Sequence, residues 1–227
     1  MKVTLYKVIL TMSTVLWMAT GCKDTAITEF GFDGEIAGVL KDREGEKVSG
    51  DITSNTLIVR LQGEKDVVTT DIRINGDGSF RNTKLYPQRY KLWVLGPVFY
   101  DSDTLEIDLT SNKNVVKDIQ VTPFLKMNLP VVRNVTSSEI AINYAISGNE
   151  GKTATARELY CSTNPYPTTT TGSGPFFETK KINLGQDSGT VTISGLASNT
   201  KYYIRIGALA NGSNLYNLSD QIVVTTN

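Results

Sequence analysis

Residues 189–210 read GTVTISGLASNTKYYIRIGALA, and apolar side chains occupy alternate positions twice over, first Val191 and Ile193, then Tyr202, Ile204, Ile206 and Ala208. A period of two sends successive side chains to opposite faces of an extended chain, so each run predicts a strand with one buried face. The link between them, rich in Gly, Ser and Asn, breaks the alternation and predicts a corner.

The same alternation extends outward from this stretch. It recurs at Ile140, Ile142, Tyr144 and Ile146 in SSEIAINYAIS, and at Leu57, Val59 and Leu61 in TLIVRLQG. It returns at Tyr90, Leu92 and Val94, at Leu105, Ile107 and Leu109, and at Ile119 and Val121. No segment of comparable length after residue 22 carries a helical period. Short strands punctuated by Gly, Asn and Asp predict an all-β chain of two consecutive antiparallel β-sandwich domains. Pro123 ends one strand and Pro130 opens the next section, which places the first sandwich at 32–123 and the second at 124–227.

The link Leu196-x-x-x-Thr200-x-Tyr202 resembles the tyrosine corner of fibronectin type III domains, in which a buried Tyr hydroxyl bonds back to the backbone. In that family an early strand carries Trp where Tyr144 stands, which implies a core repacked around a smaller ring. In the first half, GVLKDREGEKVSG, DGSF and LYPQRYKLWV together resemble the transthyretin-like or carboxypeptidase-regulatory sandwich. The family's parts fall on Gly38, Asp42, Gly45, Asp77, Gly78, Phe80, Leu85, Pro87, Tyr90, Leu92 and Val94. Gln88 stands where the family usually has Gly. Asn75-Gly76-Asp77-Gly78 predicts a hairpin turn. A calcium loop is the sharper alternative, but its frame puts Arg73 at the first ligand position and offers no bidentate Glu at its end.

The N-terminus predicts export. Lys2 and Lys7 precede an uncharged run from Val8 to Ala19, too short for the roughly 20 residues of a membrane-spanning helix. Ala19-Thr20-Gly21-Cys22 resembles the bacterial lipobox, matching at Gly21 and Cys22. The resemblance implies removal of residues 1–21, a lipidated tether over 22–31 and anchorage to the membrane through lipid on Cys22. Cleavage leaves 21 cations against 23 carboxylates, a net charge of −2, with nothing basic to suggest nucleic acid.

The chain has no histidine, which removes the commonest general base and metal ligand, and no catalytic constellation, cofactor or metal is called for. Cys161, in an apparent strand with no His partner, reads as a buried small hydrophobe. Binding is the better expectation. Sugars are held by aromatic faces plus planar polar side chains, and WVLGPVFYDSD gathers Trp93, Phe99, Tyr100, Asp101 and Asp103. Trp93 shares its face with Lys91 and Leu95, opposite Leu92 and Val94, and so points away from the core. It either packs against the second domain, the favoured reading, or meets a ligand. Phe99 and Tyr100 are the preferred contact candidates. Tyr166, Phe176 and Phe177 lie in an irregular segment rich in Thr, Gly and Pro, read either as a ligand site or as an edge covered by the two Phe side chains.

Lipobox, tether, transthyretin-like sandwich and fibronectin-like sandwich in that order resemble an uncharacterised family of Bacteroidetes outer-membrane lipoproteins, whose members tend to be encoded beside SusC- and SusD-type glycan importers. The resemblance implies a non-enzymatic, surface-exposed accessory lipoprotein that binds or presents polysaccharide to such an importer. The alternative is a structural or assembly lipoprotein that contacts a protein partner and no glycan.

Overall fold

The computed structural model describes residues 31–49, 57–168 and 179–227, and every regular element among them is a strand. The expected signal peptide, Cys22, the expected tether up to residue 30, and Phe176 and Phe177 lie outside the described residues.

The first sandwich comprises β1 (Gly34–Lys41), β2 (Ile58–Gly63), β3 (Thr70–Arg73), β4 (Ser79–Leu85), β5 (Arg89–Leu95), β6 (Leu105–Asp108), β7 (Asn114–Val116) and β8 (Ile119–Gln120). One sheet runs β4-β1-β7, with β8 continuing along β1; the other runs β3-β2-β5-β6. Pairing is antiparallel except where β7 and β8 lie parallel to β1. The chain reaches β7 by crossing over from β6 in the opposite sheet, and so enters in the same direction as β1. Inward positions of both sheets, among them Ile36, Phe80, Val59, Leu61, Leu92 and Ile107, form one buried cluster. Burying each such side chain is worth about 2 kcal/mol.

The local motifs fold for identifiable reasons. Asp42 Oδ1 accepts the N–H groups of Glu44 and Glu46, closing a turn that Gly45 completes at φ 85°. In the 75–78 turn the Gly78 N–H donates to Asn75 O at 2.9 Å. Asp77 Oδ1 accepts both N–H and Oγ–H of Ser79. The oxygens that a calcium loop would aim at an ion therefore hold the hairpin itself. At the 85–90 corner the buried Gln88 supplies polar ties: its Oε1 accepts Lys65 N–H at 3.1 Å and its Nε2 donates to Asp66 at 3.0 Å. The Tyr90 hydroxyl donates to Tyr86 O at 2.9 Å.

The second sandwich comprises β9 (Leu125–Met127), β10 (Val131–Val135), β11 (Glu139–Gly148), β12 (Ala154–Ser162), β13 (Lys180–Asn183), β14 (Ser188–Ser194), β15 (Lys201–Ala210), β16 (Tyr216–Leu218) and β17 (Ile222–Thr225). One sheet runs β10-β11-β14 with β9 beside β11; the other runs β13-β12-β15-β16 with β17 beside β15. Ile140, Ile142, Leu159, Cys161, Ile193, Ile204 and Ile206 lie in a second buried cluster. The Tyr202 hydroxyl accepts Ala197 N–H at 2.9 Å, the bond expected of a tyrosine corner. Tyr144 anchors its smaller ring by donating to Gln186 O at 3.2 Å.

Alternation predicts one buried face for β15, yet the fully buried Arg205 lies on the other. The first sandwich meets it there: the Arg205 guanidinium donates to Ser49 Oγ and to Gly76 O, while Nε donates to Ser219 O at 2.8 Å. Leu215 packs against the first cluster, and Asn217 Nδ2 donates to Val98 O at 2.7 Å. Residues Asp33–Asn227 form one compact unit.

Candidate functional site

The junction absorbs three of the four aromatic contact candidates singled out in the sequence that lie among the described residues. Phe99 is 3% exposed and belongs to the first core, with Pro123 bridged to its backbone, so it is a packing residue and not a contact surface. Tyr100 is half-buried; its ring meets Phe124 edge-on at 4.8 Å and its hydroxyl donates to Asn149 O at 3.3 Å. Tyr166 is also half-buried, at φ 54°, with its N–H on Gln221 Oε1 at 2.6 Å. A methyl group added at Gly76 would sit 2.8 Å from Tyr166 Cγ, so that ring lies directly on the 75–78 turn. Both Tyr side chains therefore join the two sandwiches.

Trp93 has a different setting. It projects from the outer face of β5, partly exposed, while Leu92 and Val94 point into the core. Across the sheet it is in register with Arg60 on β2, and Arg60 is in register with Asp71 on β3. Arg60 Nε and Nη2 donate to the two oxygens of Asp71 at 2.6 and 2.8 Å, a fork that fixes the guanidinium in plane. The Arg60 hydrogen bond holds the Asp71 carboxyl below its ordinary value, and Asp71 raises Arg60 in turn. Both groups therefore remain charged across neutral pH. On the same face Lys91 stands opposite Glu106, and Arg89 opposite Asp108 at 3.5 Å.

Asp101 and Asp103 are exposed. Between them Ser102 Oγ accepts Val94 N–H at 2.8 Å, which lays this segment along the strand that carries Trp93. Asp108 faces Arg89 with Oδ2 and Thr110 with Oδ1, and Thr110 lowers its carboxyl first through its hydroxyl and then through its N–H. Among the described residues no group of three or more Cys, Asp or Glu side chains is placed to hold a metal ion. Cys161 is buried, and desolvation pushes its thiol up to about 12.

A groove of about 780 Å³ opens where the 42–48 turn, the 123–129 segment and residues 217–220 meet. Its walls include Val48, Leu125, Met127 and Leu129, and no aromatic residue lines it among the described residues. Lys126 Nζ lies 3.2 Å from Asp42 and 3.1 Å from Glu44, so these carboxylates are committed to a shared cation.

The residues that sequence reading missed are Arg60, Asp71 and Glu106, companions of Trp93 on its face. Arg60 occupies a polar position of the alternating run TLIVRLQG, which places it outward. Its opposition to Trp93 depends on pairing between β2 and β5, strands far apart in sequence.

No family model matches the sequence, and no curated protein matches it. Among solved structures the fold is similar to a DUF3823 family protein of Bacteroides ovatus, at 21% identity and TM-score 0.68, covering 86% of this chain and 100% of the other. It is similar to a "putative carbohydrate binding protein" of Bacteroides uniformis at 19% identity and TM-score 0.64, with the same coverage. A DUF3823 family protein of Parabacteroides merdae gives 17% identity and TM-score 0.65, covering 85% of this chain and 98% of the other. At these identities the likeness is one of fold.

Proposed function

We propose that the chain is an outer-membrane-anchored, non-catalytic accessory lipoprotein, facing the cell exterior, that binds polysaccharide and presents it to a SusC/SusD-type importer. The lipobox resemblance at Cys22 supports the anchor. Trp93 carries the binding half of the reading: it is an outward aromatic on the flat of a sheet, in register with a guanidinium locked in plane by Asp71. A pyranose offers an apolar C–H face and equatorial hydroxyls. An aromatic ring takes the first, and planar paired donors and acceptors take the second. The likeness over 86% of this chain to a structure that bears a carbohydrate-binding name is in keeping with this. The non-catalytic half is supported by the groove, whose Asp42 and Glu44 are tied to Lys126 instead of facing each other across open space as a hydrolase pair must.

The test is native electrophoresis of the detergent-solubilised protein through gels containing polysaccharide. Retardation by at least one glycan, weakened about tenfold or more by Trp93→Ala in a protein with unchanged melting temperature, is the expected result; free migration across a broad panel contradicts the reading. A protein-assembly role has one observation in its favour, the exposed Leu129, Val131 and Val132 beside the groove. Copurification of an importer by a protein that no glycan retards would establish that role instead.

A further inference from the structure

We infer that the Trp93 face takes a neutral polysaccharide and rejects acidic ones. This rests on the polysaccharide-binding reading and deepens it by naming the substrate class. The outer surface of the β3-β2-β5-β6 sheet is rich in cations, but its pairing registers set them against carboxylates. Arg60 is forked onto Asp71, Lys91 stands opposite Glu106, and Arg89 opposite Asp108. Arg73 lies on the edge strand, opposite Ile58 and two residue pairs beyond the fork. Asp101 and Asp103 add exposed negative charge on the segment tied to β5 through Ser102.

A uronate or sulfate ester needs a guanidinium or ammonium free to meet it. Here the guanidinium nearest Trp93 already spends its fork on Asp71, Lys91 faces Glu106 in register without an ion pair between them, and the carboxylates of Asp71, Glu106 and Asp108, with Asp101 and Asp103 nearby, repel a polyanion more than that one ammonium attracts it. Neutral hydroxyls, by contrast, can donate to the carboxylate oxygens and accept from the remaining N–H groups while a sugar face covers the indole. The charge arrangement thus selects against acid while leaving donors and acceptors for a neutral chain.

The full-length protein in detergent is run through native gels containing xyloglucan, galactomannan, laminarin or starch, and in parallel through gels containing polygalacturonate, alginate or chondroitin sulfate, at low and physiological salt. The expected result is retardation by at least one neutral glycan, weakened about tenfold or more by Trp93→Ala, and by none of the acidic ones. Asp71→Asn, which releases the Arg60 fork, is expected to gain retardation by polygalacturonate that salt suppresses. Trp93-dependent retardation of the wild type by an acidic glycan overturns the inference while leaving polysaccharide binding intact. Retardation by a neutral glycan that Trp93→Ala does not change overturns the placement on this face. Free migration in every gel overturns the functional reading on which the inference stands.

Discussion

Arg205 on β15 and Ser49 beyond β1, 156 residues apart in the chain, are hydrogen-bonded across the junction of the two sandwiches. The same guanidinium reaches Gly76 O and Ser219 O, so one fully buried side chain ties the 75–78 hairpin to the β16–β17 connection. Arg205→Ala leaves Ser219 O unpaired in a buried site, at about 1–3 kcal/mol, and opens a cavity where the side chain stood, while Gly76 O keeps the Ser49 hydroxyl. Urea unfolding should show a loss of about 3 kcal/mol, and Arg205→Lys should recover little of it, because an ammonium cannot reproduce the fork. A loss within experimental error for Arg205→Ala would remove this residue from the account of the junction.

Gly76 and Tyr166 should be energetically coupled. The Tyr166 ring occupies the space a Cβ at Gly76 would need, with the nearest ring atom 2.8 Å away. Gly76→Ala is expected to cost about 1–3 kcal/mol through overpacking. In a Tyr166→Ala background that cost should largely vanish, which a double-mutant cycle of thermal or urea stabilities measures directly.

Cys161 should be inert in the folded state. Burial pushes its thiol up to about 12, so almost no thiolate exists at pH 8, and the side chain lies in the second core. In a Cys22→Ser chain, a thiol-reactive chromogen should label nothing at pH 8 in native buffer and one thiol per chain in denaturant.

Glycan retention should be flat from about pH 5 to pH 9, since the chain has no histidine and the Arg60 hydrogen bond holds Asp71 below the ordinary carboxylate range. The sign follows from that lowering. The stabilisation of the Arg60–Asp71 pair is complete above the unfolded value near pH 4 and is lost as the pH falls through the lower folded value. Retention measured across this range should therefore weaken only in acid below about pH 4.

The strands were legible because alternation reports burial directly: Val59, Leu61, Leu92, Val94, Ile140, Ile142, Ile204 and Ile206 all lie inside. Tyr202 and the 75–78 turn were legible because each motif satisfies its own backbone within a few residues. Phe99 and Tyr100 were not, because their fate depends on a second sandwich packing against the 96–100 loop, a contact between chain segments with no local signal. Arg205 shows the same limit from the other side. A polar position in an alternating strand predicts exposure, and only docking of the 75–78 hairpin onto it turns that position into a buried clamp. Trp93 kept its predicted outward orientation, and the register with Arg60 that gives it companions is a property of the sheet, not of any short stretch.

Tryptophan fluorescence tests the central claim most directly. Trp17 lies in the segment expected to be a signal peptide, so in a chain that begins at Cys22, or in a Trp17→Phe variant, Trp93 is the only tryptophan. Titration with a glycan that retards the protein should shift Trp93 emission to shorter wavelength in a saturable manner, as a sugar face replaces water over the indole, with a midpoint that matches the gel-derived affinity. An emission spectrum that stays unchanged while that glycan remains bound would contradict the assignment of Trp93 to the binding face.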